Sequence, residues 1–465
     1  MSAGIASRII TLASLPVIAH YYAPADLGLW AIVLSLTMYF TPFATLRYDI
    51  AIVIAPVARM GRALVLAMLT SMLAVAAALA VAVAIAPARF WHWISGLEAA
   101  NQGLLIAMPP LLLLLVAQIV LQAYLTRRRR FVTLGVSQIA QAVVTPAATL
   151  GLLWIAPASS TTAAAGAMLG FAASIAAMIP DGWRDLAPSK NRGWTRLAYR
   201  AAWRFWVYPA YMLPYTLSTG LAERVLQVVF ATFYSVASLG AFALARQIML
   251  APSVFLSTTM RQVMFAHSAQ EAGPAARRER VLKVLRVLIG CVGPATGFAA
   301  VWLVPLLTWL LPPNWAAVAH YGWWFLWPAS LHVLMGWLDR MMDVLGRQRL
   351  NVALQLATDA ACTAVVVAAA WLEVDALHMV AALSLATAAA NIGWLVVTLR
   401  LLGSEWPAIA KLVAGLVGNV VVWGGLQWIL HATLPPAAAL VIGLALLGGG
   451  VAMAAMRLKP AANGD

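Results

Sequence analysis

The chain has 465 residues, 63% of them hydrophobic and only 10% charged, with a mean hydropathy of +0.88. A soluble domain is about half apolar and about a quarter charged, so a water-soluble fold is excluded, and the membrane spans leave no length for a large extramembrane catalytic domain. Lys and Arg number 30 against 15 Asp and Glu, a net charge of +15; in so apolar a chain this excess reads as positive-inside bias and contact with anionic membrane lipid, with no nucleic-acid partner.

In chain order, fourteen apolar runs predict an all-α polytopic membrane protein, with spans at roughly 3–22, 26–47, 62–87, 103–126, 131–156, 162–181, 205–231, 236–262, 284–311, 320–343, 352–372, 376–400, 408–431 and 435–457. The charges test this count independently. With a cytoplasmic N-terminus, the inner connections carry Arg59 and Arg62, then Arg127 to Arg130, then Arg184, Lys190, Arg192, Arg196 and Arg200. They continue with Arg277, Arg278, Arg280, Lys283 and Arg286, then Arg347 and Arg349, Lys411, and finally Arg457 and Lys459. The outer connections hold Arg89 as their one cation, with acids at Asp26, Glu98, Glu373 and Asp375. One miscounted span would invert every later loop, so both termini are expected in the cytoplasm.

Trp30, Trp91, Trp93, Trp203, Trp206, Trp315 and Trp406 fall at span ends, where an amphipathic indole sits well among headgroups. Prolines such as Pro16, Pro42, Pro146, Pro252 and Pro328 interrupt several spans, which suits helices that bend in transport. Cys291 and Cys362 stand alone in apolar runs, without disulfide or zinc spacing, and no cofactor or metal is expected. The start, Met1-Ser2-Ala3-Gly4, lacks a basic leader, so the first run is read as a retained helix.

An internal repeat organises the spans. Tyr22-Ala23-Pro24-Ala25-Asp26-Leu27-Gly28-Leu29-Trp30 aligns with Tyr234-Ser235-Val236-Ala237-Ser238-Leu239-Gly240-Ala241-Phe242, and Leu125-Thr126-Arg127 with Leu345-Gly346-Arg347. The matches are six spans apart and equally oriented, which implies parallel six-helix repeats. The expected domains are an N-terminal lobe at 1–204, a C-terminal lobe at 205–402 and a helix pair at 403–465.

Ionised side chains at membrane depth mark a pathway or site by default. Arg8 lies on the first span with Gly4, Ser7 and Thr11, where it either lines a cavity or snorkels to headgroups. Arg47 closes the second span beside Asp49, as a substrate contact or an interfacial cation. Glu223 and Arg224 are adjacent in the seventh span and diverge by about 100°. Arg246 lies well inside the eighth span, and Asp359 in the eleventh either carries a coupling ion or bonds to a neighbouring helix. Arg8, Arg47, Arg224 and Arg246 come from equivalent spans of the two repeats. A cationic cavity there calls for an anionic cargo, and arginine grips phosphate bidentately. Uncharged polar residues such as Gln138 and Gln141 are then expected to meet sugar hydroxyls.

The motifs Tyr22-Ala23-Pro24-Ala25-Asp26-Leu27-Gly28, Leu46-Arg47-Tyr48-Asp49-Ile50-Ala51 and Gly240-Ala241-Phe242-Ala243-Leu244-Ala245-Arg246, with Asn314-Trp315 and Leu345-Gly346-Arg347-Gln348, run through the whole chain in order. In them the sequence resembles the oligosaccharide flippases of the polysaccharide-biosynthesis (O-antigen, Wzx-type) branch of the multidrug/oligosaccharidyl-lipid/polysaccharide exporter superfamily. The resemblance implies a non-enzymatic, inner-membrane protein that moves undecaprenyl-diphosphate-linked oligosaccharide to the periplasmic leaflet, alongside polysaccharide polymerase machinery. Asp49 stands where the pattern usually has glutamate, and relatives commonly carry a longer N-terminal lead. The alternatives are a peptidoglycan lipid-precursor flippase and a multidrug exporter. The arginines argue against the latter, and the short outer connection near 88–102 argues against a saccharide polymerase or ligase.

This topology is directly testable. Single cysteines placed between Ala156 and Ser160 or between Pro312 and Asn314 are expected to react with an impermeant thiol reagent added outside, and cysteines at Arg128 or Arg278 are not. Outside labelling of the second pair would overturn the fourteen-span reading.

Overall fold

The computed structural model describes residues 2–186, 194–268, 274–338, 341–342, 345 and 347–456, and every regular element among them is a helix. An apolar chain in lipid has this solution because a helix satisfies its backbone N–H and C=O groups within one segment. Twelve of the described helices are long and apolar enough to cross a membrane. The other two expected crossings fall on a helix flanked by π-helical turns, at Tyr208–Met212 and Phe230–Tyr234, and on a helix diluted by His320, His332 and Pro328.

The chain divides into two compact units, Met1–Ala243 and Leu244–Asp465. The first contains α1 (Ser2–Tyr21), α2 (Pro24–Thr45), α3 (Tyr48–Ile54), α4 (Ala58–Ile85), α5 (Ala88–Ser95), α6 (Met108–Arg127), α7 (Phe131–Gly151), α8 (Ser160–Leu186), α9 (Trp194–Arg204) and α10 (Leu213–Val229). It also holds the first two turns of α11 (Val236–Ser268). Here α6 packs on α2, α4 and α8, and α1 packs on α7. The tightest pair is α7 with α8, where Gly166 and Gly170 present a small-residue face to Thr149 and Thr145. Lipid tails are as apolar as leucine, so close backbone approach, rather than hydrophobic burial, holds such helices together. The Tyr22 hydroxyl ties the α1–α2 corner to this pair, 3.0 Å from the Thr149 carbonyl and 3.1 Å from Thr162 Oγ1.

The second unit contains the rest of α11, then α12 (Pro274–Leu310), α13 (Ala316–Met335), α14 (Gln348–Trp371), α15 (Ala376–Leu401), α16 (Trp406–Thr433) and α17 (Pro436–Met456). The last two helices pack on α12, joined to it by the fully buried Gln427. Its Oε1 accepts from Trp302 Nε1 at 3.1 Å, and its Nε2 donates to the Gly443 carbonyl at 3.1 Å. One amide thus links three helices without leaving a polar atom to the lipid. At the α14–α15 turn, Asp375 accepts from the backbone N–H groups of Leu377 and His378, and its hydrogen bond to the His378 ring holds the carboxyl below its ordinary range.

The repeat-equivalent glycines Gly28 and Gly240 meet face to face in the first unit. A Cβ on Gly240 would lie 2.8 Å from the Pro24 carbonyl carbon and 3.0 Å from the Gly28 nitrogen. The aligned motifs therefore place at one contact the two residues that allow backbones to touch. Gly240→Ala is expected to lower stability by roughly 1–3 kcal/mol through overpacking, read as a lower thermal midpoint in detergent. An unchanged midpoint would show that α2 and α11 separate at little cost.

Candidate functional site

Two sets of polar side chains stand out, one in each unit. In the first unit Pro42 interrupts α2 and removes one backbone donor. The helix then ends in two successive left-handed residues, Leu46 (φ 48°) and Arg47 (φ 57°), before α3 begins. Two left-handed non-glycine residues in a row are unfavourable and persist only where the surrounding structure holds them. The turn sets Arg47 and Asp49 in the wall of a cavity of about 220 Å³, which Thr41, Thr45, Leu115 and Thr216 also line.

Arg47 Nε lies 3.7 Å from Asp49 Oδ1, an ion pair too long to be a hydrogen bond. Both atoms are buried, and neither has a hydrogen-bond partner among the described residues. A shorter acid at position 49 is consistent with this loose pairing. The arrangement leaves a cation in the wall of a small, mostly apolar space, able to meet an anionic oxygen.

Arg8 is exposed on α1. The hydroxyls accompanying it turn back onto their own helix: Ser7 donates to the Gly4 carbonyl at 3.0 Å and Thr11 to the Ser7 carbonyl at 2.9 Å. Gly4 faces Gln138 of α7, whose Oε1 would be 3.5 Å from a Cβ at that position. Gln141 lies elsewhere, inside the bundle, where its Oε1 accepts from Gln118 Nε2 at 2.7 Å. The same Gln118 amide lies 2.9 Å from Ser174 Oγ.

Arg224 is only 7% exposed, and its guanidinium is spent within the unit. Nη2 and Nε donate to the Ile94 carbonyl of α5, at 3.1 and 3.3 Å. Nη1 donates to Ser35 Oγ at 2.8 Å and to Gln227 Oε1 at 2.9 Å. Ser35 Oγ in turn donates to Gln227 Oε1. The arginine therefore braces α10 against α2 and α5. Its neighbour Glu223 is exposed, as a step of about 100° along a helix allows.

In the second unit, a polar seam runs along α14 at one-turn spacing through Asn351, Gln355 and Asp359. Gln355 Nε2 donates to Asp359 Oδ1 at 2.9 Å. One turn on, Cys362 Sγ lies 3.6 Å from Thr387 Oγ1 of α15. Asp359 and Arg246 both lie within electrostatic range of this thiol, so the fold brings the deep cation of α11 and the acid of α14 into one neighbourhood. That convergence has no signal in the sequence, because the residues are on helices far apart in the chain. Gln227 could have been found from its one-turn spacing to Arg224, and Gln355 from its spacing to Asp359. Among the described residues no group of three or more His, Cys, Asp or Glu side chains is placed to hold a metal ion.

No family model and no curated protein matches the chain. Solved structures do. The lipid II flippase MurJ, in an inward closed conformation, superposes with a TM-score of 0.73 at 11% identity, covering 97% of each chain. An inward-facing multidrug resistance MATE family transporter of the MOP superfamily superposes with a TM-score of 0.57 at 11% identity, covering 88% of this chain and 95% of that one. The chain shares the fold of these two proteins.

These placements separate the arginines by energetics. Arg224→Ala removes a charged hydrogen-bond donor from the Ile94 carbonyl, Ser35 and Gln227, and is expected to lose about 1.5–3 kcal/mol of stability. Arg8→Ala is expected to leave the thermal midpoint unchanged. Equal midpoints for both variants in detergent would overturn the bracing role of Arg224.

Proposed function

We propose that the chain is a flippase that carries an undecaprenyl-diphosphate-linked oligosaccharide, an O-antigen or exopolysaccharide repeat unit, from the cytoplasmic to the periplasmic leaflet of a bacterial inner membrane by alternating access. The observation that supports this most is Arg47, a cation with an unmatched buried Nε in the wall of a cavity within a transporter fold. A half-buried cation held by one loose ion pair beside a cavity favours an anionic cargo, and a diphosphate presents the oxygens an arginine fork suits.

In this reading α10 and α13 also cross the membrane, making fourteen spans with both termini cytoplasmic. The working parts are the lobes at 1–204 and 205–402 and the helix pair at 403–465. Arg8, Arg47 and Arg246 meet the diphosphate, while Arg224 belongs to the same set through the helix it holds in place. Asp359, with Glu223, is the candidate for ion coupling, and polysaccharide polymerase machinery would take up the cargo.

A second reading, flipping of a peptidoglycan lipid precursor, draws support from the superposition on the lipid II flippase over 97% of each chain. The two readings share the polyprenyl diphosphate and differ in the sugars. Export of cationic drugs ranks behind both, because the arginines would repel such cargo.

A flipping assay on the reconstituted full chain, with two different glycans on the same diphosphate carrier, tests the proposal. Arg246→Ala is expected to abolish flipping of both at normal protein abundance, and Arg246→Lys to restore it in part. Arg8→Ala is expected to weaken both alike, by about ten- to a hundredfold, the value of a charged contact of roughly 1.5–3 kcal/mol. Full activity of Arg246→Ala, or loss of one glycan alone in Arg8→Ala, would overturn the diphosphate assignment. Asp359→Asn keeps size and hydrogen bonding but cannot titrate, so flipping is expected to lose its dependence on an imposed proton or sodium gradient. Unchanged gradient dependence would make Asp359 structural.

A further inference from the structure

The stretch from Asp185 to Glu223 contains no carboxylate between those two residues, yet carries Lys190, Arg192, Arg196, Arg200 and Arg204. Within it lies α9, whose 11 residues make a rod of about 16 Å, far short of the roughly 30 Å hydrocarbon core. It cannot cross a membrane. It packs on α4 through a face where Ala201 is fully buried, and the hydroxyl of the buried Tyr48 donates to the Ala202 carbonyl at 3.1 Å. The helix is thus pinned along one side and held at the α3–α4 end of the unit.

The side away from Ala201 remains uncovered. Tyr199 is 65% exposed and Trp203 62%, with their rings edge to face at 6.2 Å. Arg200 and Arg204 are also exposed. At 100° per residue, Tyr199, Trp203, Arg200 and Arg204 follow one another around about 140° of arc, aromatics on one flank and guanidinium groups on the other. The aromatic flank continues past the helix into Trp206, Val207 and Tyr211, all exposed where the chain leads into α10. Aromatic rings of this kind rest at the acyl–headgroup boundary, and arginines beside them reach the phosphate layer.

The geometry points to the exposed face of α9 as a binding surface for the phosphate headgroups of anionic membrane lipids. The two arginines supply the charge complement, the aromatics fix the depth of the helix, and α9 itself carries no acidic side chain. A protein partner fits less well, because the exposed apolar side chains run on through Trp206, Val207 and Tyr211 instead of ending in a bounded patch. The inference is independent of what the transporter carries.

The test uses the full chain in phosphatidylcholine liposomes doped with photoactivatable phosphatidylglycerol or photoactivatable phosphatidylcholine, with adducts mapped by peptide. Peptides covering 194–207 are expected to label several-fold more with phosphatidylglycerol than with phosphatidylcholine. Each arginine near the surface contributes about fivefold, so Arg200→Gln with Arg204→Gln is expected to cut the preference at α9 at least fivefold. Adducts on the other helices, read from the same digest, should not change, which also reports that the variant is folded. Tyr199→Ser with Trp203→Ser should reduce labelling by both lipids while retaining the preference for phosphatidylglycerol. Equal labelling of α9 by the two lipids in the unaltered protein would overturn the inference, as would a preference undiminished by loss of both arginines.

Discussion

No water reaches a peptide group in the bilayer core, and the rest of this structure follows from that constraint. It makes every regular element among the described residues a helix. It also removes the usual reason for helices to associate, since burying leucine against leucine gains little over burying it in lipid. Contacts then depend on how closely backbones approach, which is why glycines sit at the crossings. Gly28 meets Gly240, Gly166 and Gly170 meet Thr149 and Thr145, and Gly297 of α12 lies against Trp423 and Gly424 of α16.

The same constraint sorts the polar side chains. Most hydroxyls return to their own helix, as Thr11, Thr37 and Thr126 do by bonding to the carbonyl four residues back. Amides join helices in closed groups, such as Gln118 with Gln141 and Ser174, or Gln427 with Trp302 and Gly443. Arg127 also serves the backbone, donating to the carbonyls of Ile52 and Ala55 at the end of α3. Against that background, the buried polar atoms that lack a partner are informative. Arg47 Nε and Asp49 Oδ1 combine burial, opposite charge and a neighbouring cavity. Holding them there is costly, and a transported anion is the compensation we propose.

Membrane residence and most crossing helices were legible in the sequence, because apolar run length and cation placement are one-dimensional signals. The matching segments Tyr22 to Gly28 and Tyr234 to Gly240 were legible too, and the structure sets their glycines at one contact. Burial without escape was not. Arg8 and Arg224 look alike as single cations in apolar runs, yet one is exposed on α1 and the other is spent on Ile94, Ser35 and Gln227. Nor does the sequence show that Gln141 Oε1 accepts from Gln118.

By itself, then, the sequence determined that the chain lives in a membrane, that it is helical, where most helices begin and end, and which few ionised residues are candidates for function. Each of these depends on hydropathy or charge along the chain. Tertiary structure alone decided which arginine braces a helix and which stands beside a cavity, that Gly28 faces its repeat partner, and that Asp359 and Arg246 share a neighbourhood around Cys362. Those outcomes depend on distances between helices remote in sequence, and a cation's partners, unlike its cost, cannot be read from its own flanking residues.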